Sequence, residues 1–183
     1  MKNLLLLSLI VVPFACTQSQ ADRSATDRYD YDIEERIASL GIVLTEPSAP
    51  VASYVNAVQT GNLIFLAGKG PSKPDGGYVE GKLGVDLTIE EGYEAARLTA
   101  IQQLSSLKAE IGDLNKVVRI VKVLGMVNAS ADFTEHPKVI NGYSDVMVSV
   151  FGERGKHARA AVGMASLPSN IAVEVEMIVE VAQ

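Results

Sequence analysis

Apolar and polar residues alternate most regularly near the C-terminal end of the chain. From Ile171 to Val181 every odd position is Ile, Val or Met, and three of the even positions are Glu. A period of two predicts a strand with one buried face. Residues 117–127 form a second apolar run, interrupted mainly by Arg119, Lys122 and Gly125, which is typical of a central strand.

A long helix is predicted just before residues 117–127. Thr88 and Glu91 form a capping box, in which each side chain can bond the backbone of the other residue. The predicted helix runs to about Ile111 and ends at Gly112. Three-to-four spacing indicates a buried face made of Ala95, Leu98, Ile101, Leu104 and Leu107 or Lys108.

Two further helices follow from the same kind of signal. Residues 32–40, followed by Gly41, predict a short helix with a glycine stop. A second capping box, Asp132 to Glu135, predicts a helix that ends at Gly152. Its buried side is expected to carry Val139, Val146 and Val150.

A hairpin is predicted near the start of the domain. Residues 54–59 and 63–67 are rich in β-formers and are joined across Thr60-Gly61-Asn62, and a Gly/Pro/Lys loop covers residues 68–84. The order of elements is hairpin, helix, strand, helix and strand pair. This order predicts an α+β domain with both main helices on one face of a mixed sheet.

Composition narrows the classes of function. The chain has 183 residues, enough for one domain of ordinary size, and a formal net charge of −6, which disfavours a basic nucleic-acid binder. With a single Cys the chain can form no intramolecular disulfide and no Cys-rich zinc site. The two His residues, His136 and His157, lie far apart in the sequence.

The N-terminus is typical of an export signal. Lys2 precedes an apolar run over residues 4–15 that is too short to span a bilayer. Two cleavage sites fit: acylation at Cys16, as in a bacterial lipoprotein, or cleavage after Ser19-Gln20-Ala21. We therefore expect a leader of residues 1–15 or 1–21, a disordered tether over 22–32, and an exported protein, periplasmic or secreted, whose only membrane contact would be a lipid anchor.

Arg159 is the strongest candidate for a functional residue, because of the residues that surround it in the sequence. The chain contains no nucleophile elbow, phosphate loop or dinucleotide fingerprint. Arg159 opens an apolar strand of small side chains, where a guanidinium is costly unless it meets an anion. The alternatives are a structural salt bridge to Glu174 or Glu176 on the next strand and a clamp for a ligand carboxylate.

The sequence around Arg159 resembles a known family. The segment His157-Ala-Arg-Ala-Ala-Val-Gly-Met-Ala-Ser-Leu-Pro168, followed by an alternating strand with Glu, is similar to the C-terminal signature of the Rid (YjgF) family of reactive enamine/imine deaminases. The resemblance extends through residues 50–68, 91–97 and 136–142. The resemblance assigns residues 33–183 to a Rid/YjgF-like domain. Within the family, the domain is similar to the branch of longer proteins that are described as "putative endoribonucleases" with a chorismate-mutase-like fold.

The resemblance implies a chorismate-mutase-like fold assembled as a trimeric barrel, with sites in the clefts between subunits. It implies that Arg159 pairs with a substrate carboxylate and that Glu174 orients the hydrolytic water. It further implies that Tyr54, Asn141 and the Ala67-Gly68 pair line the pocket. Active deaminases often carry Ser-Gly where this chain has Ala67-Gly68, so one hydroxyl is missing.

Three functions compete on this basis. The first is hydrolysis of enamines or imines derived from amino acids to ammonia and a 2-keto acid, which needs no metal or cofactor because the imine carbon is already electrophilic. The second is non-catalytic binding of small carboxylates or keto acids. Ribonuclease activity ranks third, because without the leader the net charge is −7 and the chain has no basic cluster or histidine pair.

Overall fold

A computed structural model of the protein describes residues 28–47 and 52–182. The leader, both cleavage sites and Cys16 lie outside these residues. The described strands are β1 (Ala57–Thr60), β2 (Leu63–Lys69), β3 (Val117–Asn128), β4 (Ala158–Met164) and β5 (Val173–Val181). The α-helices are α1 (Ile33–Ser39), α2 (Ile89–Ile111) and α3 (His136–Phe151).

The strands form one mixed sheet in the order β1-β2-β5-β3-β4. Neighbouring strands are antiparallel except β3 and β4, which are parallel and joined through α3. The predicted alternation is confirmed, because the odd positions of β5 are buried throughout. Strand β5 lies between β2 and β3 with one face against the helices, which explains its regular alternation.

Both main helices cover the same face of the sheet, as predicted. Helix α2 packs on β2 and β5, helix α3 packs on β3 and β4, and the two helices pack on each other. The opposite face, called the outer face below, is covered by none of the described helices. Within the described residues, no helix has both the length and the apolar character that a bilayer span requires.

Helix α2 begins and ends where the sequence predicts, but its buried stripe differs. The capping box of Thr88 and Glu91 is present and Gly112 closes the helix with a positive φ of 78°. Ala95, Leu104 and Leu107 are buried as expected, whereas Leu98 and Ile101 are only half-buried, because the buried stripe follows a neighbouring line of residues along the helix. That stripe contains Gly92, Ala95, Ala96, Thr99, Ala100, Gln103, Leu104 and Leu107. Gly92 of α2 packs against Val139 of α3, and Gly142 of α3 lies against the backbone of Tyr93, so glycines let the two helices approach closely.

The predicted capping box of Asp132 and Glu135 is wrong. Helix α3 begins only at His136, after Glu135, which makes no capping hydrogen bond through its side chain. Pro137 in the first turn has a backbone already set for a helix start, which favours this later beginning. The expected buried residues Val139, Val146 and Val150 are confirmed, and Gly152 follows the last turn.

The predicted tether is structured at its C-terminal end. Tyr29 is buried and its hydroxyl donates to the carbonyl of Val117 at 2.9 Å, and Asp32 caps α1. These aromatic and capping contacts order residues 28–32 against the domain. The first hairpin strand is also shorter than expected, since it starts at Ala57 instead of residue 54.

Candidate functional site

Arg159 lies on the edge strand β4 with its side chain on the helix side of the sheet. It is the cross-strand neighbour of Val123, which is fully buried under the helices. Its Nη1 atom donates to Oδ1 of Asn141 at 3.0 Å and to Oγ of Ser144 at 2.9 Å, both on α3. Two neutral acceptors therefore hold a charged group that has no carboxylate partner among the described residues.

Of the two alternatives for Arg159, the structural salt bridge to Glu174 or Glu176 is not formed. Strand β3 separates β4 from β5, so the two carboxylates are not on the adjacent strand. Glu174 is the cross-strand neighbour of Met126, three residues along β3 from Val123. Because side chains alternate between faces, Arg159 and Glu174 project from opposite faces of the sheet.

Two residues that sequence reasoning did not select, Ser144 and His157, extend the Arg159 cluster. Oγ of Ser144 lies 3.0 Å from Nε2 of His157, and Nδ1 of His157 lies 2.7 Å from the carbonyl oxygen of Gly155. Burial lowers the pKa of His157, and the charge of Arg159 lowers it further. The sequence contains one signal for Ser144: it follows Asn141 by three residues, and residues at i and i+3 share a helix face.

Glu174 belongs to a second cluster, formed with Gly68 on the outer face. A methyl group added at Gly68 would lie 3.0 Å from Cδ and 3.1 Å from Cγ of Glu174. Burial raises the pKa of Glu174, and the nearby Glu176 carboxylate adds to the effect. A half-buried carboxylate with a raised pKa is suited to accept a proton from water near neutral pH.

The register of β2 on β5 shifts next to this cluster, between Leu66 and Lys69. Gln103 on α2 is fully buried there, and its Nε2 atom donates to the carbonyls of Ala67 at 3.0 Å and Val175 at 2.7 Å. One side-chain amide thus satisfies carbonyls on both sides of the irregularity. Gln103 therefore supports the backbone beside Gly68 and Glu174, a role that the sequence does not predict.

Tyr54 lies before β1 and is 51% exposed, and Ala67 lies within β2 beside Gly68. The next residue, Lys69, is bonded through Nζ to Oδ1 of Asn56 at 2.6 Å and forms no ion pair with Glu174. No group of three His, Cys, Asp or Glu side chains that could hold a metal ion occurs within residues 28–47 and 52–182.

Five of the six predicted residues therefore fall into two groups within one copy of the chain, and Tyr54 belongs to neither. Asn141 contacts Arg159 at the sheet edge, whereas Gly68, Ala67 and Glu174 lie together around the register shift. A single copy of the chain does not bring Arg159 and Glu174 to one point.

A family model described as "YjgF/chorismate_mutase-like, putative endoribonuclease" matches residues 34–181. Protein TCP17 of Trypanosoma cruzi is 45% identical over 149 residues, which are 81% of this chain and 93% of that protein. The 2-iminobutanoate/2-iminopropanoate deaminase of Escherichia coli K12 is 30% identical over 135 residues, which are 71% of this chain and 88% of the enzyme.

Solved structures have the same fold. The protein Atu1372 from Agrobacterium tumefaciens, a protein of unknown function, superposes with a TM-score of 0.75 at 39% identity, covering 87% of this chain and 95% of that one. A "putative endoribonuclease" from Shewanella oneidensis superposes with a TM-score of 0.79 at 30% identity, covering 82% of this chain and all of the other.

Proposed function

Because the chain belongs to the YjgF/chorismate mutase-like family, we propose that it hydrolyses small 2-imino acids to 2-keto acids and ammonia. The observation that carries this proposal is the setting of Arg159. Its charge is held at the sheet edge by Asn141 and Ser144 without a carboxylate partner among the described residues. A guanidinium in that state is suited to a planar carboxylate, with which it forms two charge-assisted hydrogen bonds. Similarity to a 2-iminobutanoate deaminase supports the choice of substrate class.

The reaction needs one water and one proton acceptor. The substrate carboxylate binds Arg159, and Glu174 takes a proton from water as the oxygen attacks the C=N carbon. Glu174 passes that proton to the nitrogen, which gives a neutral amino alcohol. The hydroxyl proton of the amino alcohol then moves to the nitrogen through Glu174 as the C–N bond breaks, so that a C=O group forms and ammonia leaves. Burial of Glu174, which raises its pKa, strengthens it as the base in the first step.

A second copy of the chain is required by this mechanism. Arg159 and Glu174 project from opposite faces of one sheet, so the Arg159 cluster of one subunit must meet the Glu174 cluster of another. The outer face also carries an uncovered apolar strip: Val58, Phe65 and Ile178 are cross-strand neighbours on β1, β2 and β5, and the first two are 56% and 43% exposed. We propose that this face closes into a homotrimer.

Hydrolysis of 2-iminobutanoate, generated in situ by an amino acid oxidase, is the direct test. The wild type should accelerate loss of the imine, Arg159→Ala should abolish the effect, and Glu174→Gln should lower kcat by about 10² or more. Arg97→Ala is the matched control, because Arg97 is an arginine paired with Glu94 in the same helix turn. Turnover equal to buffer in the wild type would overturn the proposal.

Non-catalytic binding of a keto acid is the second candidate, and Ala67 favours it. This residue carries no hydroxyl beside Gly68, where active deaminases often have serine. Calorimetric titration with 2-oxobutanoate separates the two candidates: binding without imine turnover supports a binding protein. If Ala67→Ser then created turnover, the missing hydroxyl would be the cause.

We also propose that the chain is exported and that Cys16 decides whether it is anchored. The support is the apolar run over residues 4–15 that ends beside this cysteine. In bacterial cells an acylated wild type should sediment with membranes and Cys16→Ser should not. Equal partition of the two would favour cleavage after Ala21.

A further inference from the structure

The hydrogen bonds around Arg159 leave one edge of its guanidinium open. A guanidinium has five N–H donors, and the two on Nη1 are directed at Asn141 and Ser144. Nε and Nη2 have no hydrogen-bond partner among the described residues. These two atoms form the side edge of the group, which matches the two oxygens of a carboxylate.

Ser144 can accept from Arg159 only if its own proton points elsewhere. The carbonyl oxygen of Gly155 has no proton, so Nδ1 of His157 must donate to it across 2.7 Å. In a neutral imidazole Nε2 is then an acceptor, and it takes the Ser144 hydroxyl proton across 3.0 Å. The lone pairs of Ser144 are left for Nη1 of Arg159.

We propose that Ser144 and neutral His157 form a positioning relay that presents the Nε–Nη2 edge of Arg159 to the ligand carboxylate. Neither residue touches the reacting atoms, and both act through Arg159. The relay selects a side-on, two-point contact over an end-on one, since Nη1 is already occupied. This inference rests on the proposed function for the nature of the ligand, but the relay itself is present without ligand.

The relay can be tested on the ligand-free protein by NMR. Long-range ¹H–¹⁵N spectra at pH 7.5 should show His157 neutral with its proton on Nδ1. Relaxation of the Arg159 Nε–H group should show an ordered side chain in the wild type and a mobile one in Ser144→Ala. A proton on Nε2, or equal order in both proteins, would overturn the relay whether or not the protein binds keto acids.

Ligand affinity supplies the second readout. Ser144→Ala should weaken binding of 2-oxobutanoate about tenfold, the equivalent of one net hydrogen bond, and should raise KM more than it lowers kcat. Ser144→Thr, which keeps the hydroxyl, should bind nearly as wild type. Ser149→Ala, at an exposed position later in the same helix, is the control.

Coupling between the two relay residues distinguishes positioning from packing. His157→Phe removes the acceptor for the Ser144 proton, so the double variant should bind no more weakly than Ser144→Ala alone. Strictly additive losses would contradict a relay. Absence of keto acid binding by the wild type would overturn the proposed function instead, and the NMR result would still decide the relay.

Discussion

Glu174 lies directly against Gly68 across strands β5 and β2. A side chain at Gly68 would occupy the space of the Glu174 carboxyl group, whose Cδ would be 3.0 Å from the added carbon. A larger residue at position 68 would therefore push the Glu174 carboxyl group out of its present position. The resemblance to the family extends through this glycine, and the contact with Glu174 gives a structural reason for it in this chain.

Gly68→Ala should destabilise the protein by about 1–3 kcal/mol, because the new methyl group overpacks a tight contact. The double variant Gly68→Ala/Glu174→Ala removes the colliding carboxyl group and should recover most of that loss. Urea unfolding of the four proteins in this cycle measures the coupling. Additive effects would show that the two residues do not compete for one space.

Gln103→Leu should cost about 2–4 kcal/mol of unfolding free energy. The substitution keeps a similar volume but removes the donor to the buried carbonyl of Val175 and the partly buried carbonyl of Ala67, a loss that outweighs removal of Oε1, which has no partner among the described residues. Gln102→Leu, at the half-buried neighbouring position on α2, is the matched control and should change stability by less than about 0.5 kcal/mol. Similar losses in the two variants would argue against a special role for Gln103.

The His157 relay predicts a pH dependence of stability. Burial holds the pKa of His157 below its usual value near 6.5. The folded state therefore binds fewer protons than the unfolded state, and the wild type should lose stability as pH falls through and below about 6.5. Above that pH the contribution of His157 should be constant.

The measurement is urea unfolding of wild type and His157→Gln between pH 8 and pH 5. The difference between them should be flat at high pH and should shift in favour of the variant below about 6.5. Other charges near His157 are Arg159 on β4, Lys156 before it, Arg119 on β3 and Glu180 on β5. These groups are common to both proteins, so a parallel pH profile would contradict the assignment.

Phe65→Asp should prevent assembly of the trimer that we propose. The aspartate would place a charge in the middle of the outer-face strip, between Val58 and Ile178, and burying an unpaired charge there is strongly unfavourable. Light scattering should give a monomer mass, one third of the wild-type value. Val85→Asp, at an exposed loop position, should leave the mass unchanged.

Much of the fold could be predicted because the signals are local. A capping box, a terminal glycine and a period of two depend on neighbouring residues, so α2 and β5 follow from the sequence. The start of α3 could not be assigned correctly, because Pro137 outweighed a capping pattern that looked complete. The buried face of α2 is predicted correctly at Ala95, Leu104 and Leu107, and wrongly at Leu98 and Ile101, because periodicity alone does not fix how the helix is rotated against the sheet and α3.

The candidate site divides in the same way. By its resemblance to a family, the sequence alone identified Arg159, Glu174, Gly68 and Asn141 as the residues to examine. The contacts among these residues follow from the three-dimensional fold, because they depend on strand order and on which face of the sheet each side chain occupies. Strand β3 lies between β4 and β5, so the alternative of a salt bridge to Glu174 or Glu176 is excluded and Arg159 instead donates to Ser144 and Asn141. Local sequence patterns determine where helices and strands form and which face of each is apolar. Contacts between residues that are distant in the sequence depend in addition on the order and register of the strands in the sheet.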